Sequence, residues 1–264
     1  TGEFHPDALA RTFAVVEDYA ELIAAAGVTR SRIHFVATSA ARDAGNRQDF
    51  FDGVQQRLGV VPEVISGEVE AQLSFHGALS RLGDVVAPVL VMDIGGGSTE
   101  LILGDADGGI DQSVSLDIGS VRLTERFLGA GPPTPADLTR ASDYVDGLLA
   151  SAGLDLGQIG TWIGVAGTVT TMAAVALGLE TYDRERVHGS IISTEQIDAL
   201  LARLNGLTAD QIRAIATMHP QRADVILAGV LIAARVAARL PVAAMTVSES
   251  DILDGIALGL LRRR

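Results

Sequence analysis

The segment from Val89 to Leu103 constrains this chain most. Two apolar runs, Val89-Leu90-Val91-Met92 and Leu101-Ile102-Leu103, flank Asp93-Ile94-Gly95-Gly96-Gly97-Ser98-Thr99-Glu100. Each run predicts a short strand, and the glycines between them predict a hairpin turn. Three glycines exceed what a tight turn needs. They strip every Cβ from one loop, so that its backbone N–H groups can approach a ligand closely. A concavity of N–H donors suits a phosphate. Asp93, at the end of the first strand, can hold a hydrated Mg²⁺, which accepts one or two carboxylates together with phosphate oxygens. A bulged hairpin with an incidental Asp is the alternative.

Composition narrows the chemistry. The chain has 264 residues, is 48% hydrophobic with aromatics at 4%, and suits an α/β protein with aliphatic cores. It contains no cysteine, which excludes disulfides and thiolate nucleophiles. Its basic residues are all Arg, so a lysine-dependent phosphate loop and Schiff-base chemistry are excluded. A net charge of −13 argues against a nucleic-acid surface. An acidic protein that binds a polyanion needs metal ions and locally placed Arg. No apolar run has the length of a membrane span and no signal peptide is read, so the expectation is a cytoplasmic protein without a membrane partner.

In chain order, apolar spacing predicts a helix over 6–26, a strand over 32–37 and helices over 48–58 and 66–82, with a short strand at 61–65 between them. Thr38-Ser39-Ala40-Ala41-Arg42 follows the first strand and offers hydroxyls and a guanidinium to an anion, or else an ordinary cap and a surface Arg. Glu68 and Glu70 open the helix over 66–82, two apart and so on different faces. A strand is expected over 109–117, helices over 120–128 and 134–152, and a strand over 162–165. That strand meets Ala166-Gly167-Thr168, a third strand–glycine–hydroxyl junction. Tyr182 to His188 reads as a polar loop at the mouth of a cleft. Helices are predicted over 194–204, 208–218 and 222–239, then a strand over 243–247 and a final helix over 251–261. Arg222 would sit in the first turn of the long apolar helix, where a cation opposes the helix dipole and calls for an anion.

These motifs in this order resemble the exopolyphosphatase/guanosine pentaphosphate phosphohydrolase (Ppx/GppA) family of the actin-like ATPase superfamily. The resemblance rests on Ala37 to Arg42, Ser66-Gly67-Glu68-Val69-Glu70-Ala71, Met92 to Glu100, Ala166-Gly167-Thr168, Arg222-Ala223-Asp224 and Ser248 to Gly255. It implies an α/β protein of two ribonuclease-H-like domains with an interdomain cleft. The first would occupy 1–78 and the second 79–264, with the last helix able to pack back on the first. It implies metal-dependent release of terminal phosphate from inorganic polyphosphate, with short chains favoured, or of the 5′ γ-phosphate from pppGpp. Carried across by motif, Glu70 is the base that orients water, and Asp93 and Glu100 serve Mg²⁺ (or Mn²⁺). Thr38, Ser39, Arg42, Gly95, Gly96, Gly97, Ser98, Gly167, Thr168 and Arg222 hold phosphates. A homodimer is expected.

The family opens with a further glycine-type hairpin that this chain lacks, so the resemblance implies a chain truncated at its start and inactive, or nearly so, when expressed alone. It also lacks the helical C-terminal domains of longer members. A non-catalytic sensor of polyphosphate or nucleotide is the reading from another class. Retention of Glu70 speaks against it.

Overall fold

The computed structural model describes residues 3–38, 41–42, 44–129 and 131–262, with residue 262 described for its backbone only. The chain divides into two compact units, one ending at Glu70 and the other beginning at Ala71.

In the first unit, α1 (Pro6–Ala25) and α2 (Arg47–Leu58) accompany a two-stranded parallel sheet of β1 (Val36–Ala37) and β2 (Glu63–Val64). Proline in the first turn and the ring of His5, which accepts from the Asp7 amide at 3.2 Å, start α1. Gly59, at φ +71°, ends α2. Val16, Ala37, Phe50, Val54 and Leu58 form the core. Gly53 lets α1 approach α2, because a Cβ there would stand 2.1 Å from the ring of Phe13. The strand expected over 32–37 is reduced to two residues. Arg30–Arg32 form a 3₁₀ turn, and β2, the neighbour of β1, offers only two paired residues.

Helix α3 (Gly67–Leu79) follows, with Ser66 Oγ accepting from the Val69 amide at 3.3 Å. The second unit is built on a six-stranded mixed sheet: β3 (Val89–Ile94), β4 (Thr99–Gly104), β5 (Ile110–Leu116), β6 (Thr161–Val165), β7 (Ile191–Ser193) and β8 (Ala244–Val247). Its order is β5-β4-β3-β6-β8-β7. The hairpin β3–β4 is antiparallel, whereas β3, β6 and β8 run parallel. Around the sheet lie α4 (Ser120–Leu123, continued as a π-helical turn to Leu128), α5 (Pro135–Ser151), α6 (Ala166–Ala176), α7 (Arg184–Val187), α8 (Thr194–Asn205), α9 (Ala209–Arg213), α10 (Ile226–Ala237) and α11 (Ile252–Arg262).

Both faces of the sheet are buried at β3, which explains why that strand is an unbroken apolar run. Leu90, Met92 and Ile94 join a large core with residues of α5, α6 and α10. Val89 and Val91 join a second core with Ala71, Phe75 and Ala78 of α3. Side chains alternate along a strand, so Asp93 follows Val89 and Val91 to the α3 face. Glu100 is the cross-strand partner of Asp93 and shares that face. Among the described residues no helix is long and apolar enough to cross a membrane.

Gly77 shows how tightly α3 is held. A Cβ there would meet the Asp251 carbonyl oxygen at 1.8 Å. Gly147, exposed on α5, has nothing within 4 Å of a Cβ. Gly77→Ala is expected to destabilise by about 1–3 kcal/mol through overpacking, and Gly147→Ala to stabilise by about 0.5–1 kcal/mol through backbone entropy. Denaturant melts of the two variants check this; equal effects would contradict the packing.

Candidate active site

The parallel strands β3, β6 and β8 end side by side. They run into 95–98, 166–168 and 248–251 respectively, the segments whose chemistry stood out in the sequence. The carboxyl ends of parallel strands are where an open α/β sheet leaves room for a ligand.

The glycine loop has a defined polarity. Gly95 N–H donates to Ser98 O at 3.0 Å and closes the turn. The Gly95 carbonyl accepts from the Ser120 amide at 2.9 Å, and the Gly96 carbonyl accepts from Val121 and Arg122 at 2.9 and 3.1 Å. These bonds satisfy the amides that open α4, so that helix end is used by the protein itself. Among the described residues, the N–H groups of Gly96, Gly97 and Ser98 donate to no protein acceptor, and Gly96 and Gly97 are exposed. The arrangement requires Gly119. A Cβ there would lie 2.4 Å from the Gly96 carbonyl and 2.6 Å from Gly97 N. Gly119 escaped the sequence reading, although a glycine before a helix that lacks a side-chain cap was available as its signal.

The second junction is strained. Ala166 has φ +66°, a conformation rare for a residue with a Cβ. The turn opens α6, whose first residues receive no side-chain cap. Gly167 and Thr168 line a cavity of about 220 Å³ together with Gly95, Gly96 and Arg222. Five of the expected phosphate-binding residues therefore meet in one place.

Arg222 reaches that place by a different route from the one expected. It is not in the first turn of the long helix, which begins at Ile226. His219-Pro220 starts a 3₁₀ turn over Pro220–Arg222, with the His219 ring accepting from the Gln221 amide at 3.3 Å. Arg222 then donates to Thr171 Oγ1 at 2.8 Å. Its guanidinium lies over Gly167, where a Cβ would be 2.1 Å from Nη2. The helix-dipole argument for Arg222 fails with this placement. The helix expected over 208–218 likewise contracts to Ala209–Arg213.

A larger cavity, about 1000 Å³, shares Gly167 and Arg222 with the first and extends to Tyr182, His219 and Glu249. Thr217 lines it too, and its buried hydroxyl has no partner among the described residues. Tyr182, from the segment expected at a cleft mouth, donates its hydroxyl to Glu249 Oε1. Arg184 also pairs with Glu249, at 3.3 Å. His188 accepts from the Glu249 amide at Nδ1, so its Nε2 carries the proton and donates to the Arg81 carbonyl at 3.0 Å. His188 thus ties two loops together.

In the first unit, Thr38 O accepts from the amides of Ala41 and Arg42 at 3.0 and 3.1 Å, and Arg42 Nη1 donates to Ile65 O at 2.7 Å. Ser39 lies outside the described residues. Glu68 is exposed and Glu70 half-buried. Asp93 and Glu100 are also half-buried, and Glu100 accepts from Ser115 Oγ at 2.7 Å. Two carboxylates side by side on neighbouring strands fit Mg²⁺, a hard cation that takes few protein ligands and keeps its waters. No group of three or more candidate ligands exists among the described residues, so a closed protein cage is not what they offer.

The Ppx/GppA phosphatase family profile matches residues 1–264. The chain is 44% identical to Exopolyphosphatase 2 of Mycobacterium tuberculosis, over 98% of this chain and 84% of that protein. It is 33% identical to the bifunctional 3-dehydroquinate synthase/phosphatase of Fusobacterium nucleatum, over 96% of this chain and 38% of that one. It superposes on the crystal structure of an exopolyphosphatase-like protein with a TM-score of 0.91 and 40% identity, covering 99% and 87% of the two chains. An Aquifex aeolicus Ppx/GppA member gives a TM-score of 0.84 at 29% identity, covering 100% and 84%. The α/β fold of two ribonuclease-H-like (actin-like ATPase) domains, expected from the motifs, is shared with these structures.

Burial, and then the hydrogen bond to Glu249, push the Tyr182 hydroxyl up to about 12. The folded value exceeds the ordinary 10.0, so the stability it contributes is intact below pH 10 and lost as pH rises toward 12. Tyr182→Phe should be less stable than wild type at pH 9, with the gap closing by pH 12. Thermal melts across that range check this; a gap independent of pH would contradict it.

Proposed function

The chain belongs to the Ppx/GppA phosphatase family, and on that premise we propose that it is an exopolyphosphatase, a hydrolase that releases terminal orthophosphate from inorganic polyphosphate, with short chains favoured. The observation that carries this reading is the near-full-length likeness to Exopolyphosphatase 2. The chemistry of the residues supports it. Phosphoryl transfer asks for positioning and charge neutralisation more than for covalent help. The loop Gly95 to Ser98 holds phosphate through the amides of Gly96, Gly97 and Ser98, and Thr38, Ser39 and Arg42 are further phosphate-binding residues in this reading. Gly167, Thr168 and Arg222 hold the phosphates that follow. Glu70 orients the attacking water and takes its proton. The bond between the terminal phosphorus and the bridging oxygen breaks, and the shortened chain departs with that oxygen.

Asp93 and Glu100 would hold the divalent cation, Mg²⁺ or Mn²⁺. When bound, it neutralises phosphate oxygens as charge moves onto the leaving group. In this reading the first ribonuclease-H-like domain occupies 1–78 and the second 79–264. We extend the resemblance to a homodimer in the cytoplasm.

A second reading, pppGpp 5′-phosphohydrolase, is favoured by one observation. The larger cavity adjoins the smaller one and presents Tyr182 and the Thr217 hydroxyl, which has no partner among the described residues. It could take a nucleoside beyond the phosphates.

Phosphate release by the full-length protein from tripolyphosphate, long polyphosphate and pppGpp, with and without Mg²⁺, tests both readings. Tripolyphosphate should be the best substrate, with turnover dependent on the metal. Glu70→Gln should lower kcat by about 100-fold or more while tripolyphosphate still binds. Asp93→Asn should lower the rate and raise the Mg²⁺ requirement. Release confined to pppGpp would favour the second reading. Wild-type turnover by Glu70→Gln would overturn its assigned role.

A further inference from the structure

Arg122 stands in none of the motifs above, yet it is fixed beside the glycine loop. Its amide donates to the Gly96 carbonyl at 3.1 Å. Its guanidinium reaches Gly97, where Nη2 lies 3.8 Å from the position of a Cβ. Nη1 is paired with the carboxylate of Asp117. Both partners are solvent-accessible, with side-chain exposures of 45% for Arg122 and 77% for Asp117. The cation thus borders the exposed part of a loop whose amides at Gly96, Gly97 and Ser98 have no protein acceptor among the described residues.

An ion pair between exposed groups is weak and exchangeable. A phosphate group competes well for it, because a guanidinium can donate two parallel charge-assisted hydrogen bonds to phosphate oxygens. In a protein with a net charge of −13, a polyanion is repelled at long range, and each cation at the loop counts. Arg222 meets the loop through the cavity it shares with Gly95 and Gly96, whereas Arg122 meets it at Gly97.

We propose that Arg122 is a phosphate-binding residue of the glycine loop, parked on Asp117 and passed from that carboxylate to a phosphate oxygen when polyphosphate binds. The inference rests on the polyphosphate reading of the site. It assigns Asp117 a competing role, because removing its charge frees Arg122.

The test is calorimetric binding of tripolyphosphate to the wild type, Arg122→Ala, Asp117→Asn and the double variant, with thermal melts and phosphate release alongside. Arg122→Ala should weaken binding by about tenfold. Asp117→Asn should tighten it by about threefold, and that gain should vanish in the double variant. The two single variants break the same ion pair, so a merely structural role would move stability and affinity in the same direction in both. Unchanged affinity in Arg122→Ala, a loss of affinity in Asp117→Asn, or a gain that persists without Arg122 would overturn the proposal. If the wild type binds tripolyphosphate but releases no phosphate, the hydrolase reading fails while the affinities still judge Arg122. If it does not bind tripolyphosphate, both fail.

Discussion

The carbonyls of Gly95 and Gly96 accept the amides that open α4, at 2.9 to 3.1 Å, and the character of the site follows from those bonds. A peptide unit that turns its oxygen toward the helix turns the following N–H away from it. The loop is therefore anchored through its acceptors, and its donors at Gly96 to Ser98 meet no protein acceptor among the described residues. Gly119 makes the anchoring possible, because any Cβ there would collide with Gly96. The loop is thus presented as a rigid row of donors, which costs little to organise when an anion arrives.

The sheet beneath supplies the rest by parity. Burial on both faces forces β3 to be apolar at Val89 to Met92, and alternation then decides which face Asp93 joins. It joins the face covered by α3, where Glu100 stands opposite it on β4. Beside β3, the ends of β6 and β8 bring in Gly167 and the Ser248–Asp251 segment. The strained Ala166 and the glycine under Arg222 are what let a guanidinium lie against the backbone there. Structural neighbours sharing this architecture belong to the Ppx/GppA family, in keeping with a site that works by placement of donors and charges.

Much of this was legible in the sequence, for identifiable reasons. The hairpin around Gly95 to Ser98 announced itself because acid, glycines and hydroxyls fall at turn spacing between apolar runs. Gly167 and Thr168 carried the same local signature at the end of β6. Arg222 lies over Gly167, but not for the reason read from the sequence: the helix expected to start at Arg222 starts at Ile226, after a 3₁₀ turn opened by His219-Pro220. The strand over 32–37 was overcalled because alternation was read without a paired neighbour, and its neighbour is two residues long. Arg122 was invisible for a different reason, and Gly119 showed only as a glycine before an uncapped helix. Their importance lies in contacts with Gly96 and Gly97, more than twenty positions earlier, and no local pattern encodes that approach.

The most direct measurement follows the backbone amide resonances of the 27.5 kDa protein while tripolyphosphate is added in the presence of Mg²⁺. The account predicts that the amides of Gly96, Gly97 and Ser98 shift strongly downfield and gain protection from solvent exchange, in step with one another and at the same midpoint. Saturable binding that leaves these three amides unmoved would contradict it, because the phosphates would then be held somewhere other than the loop.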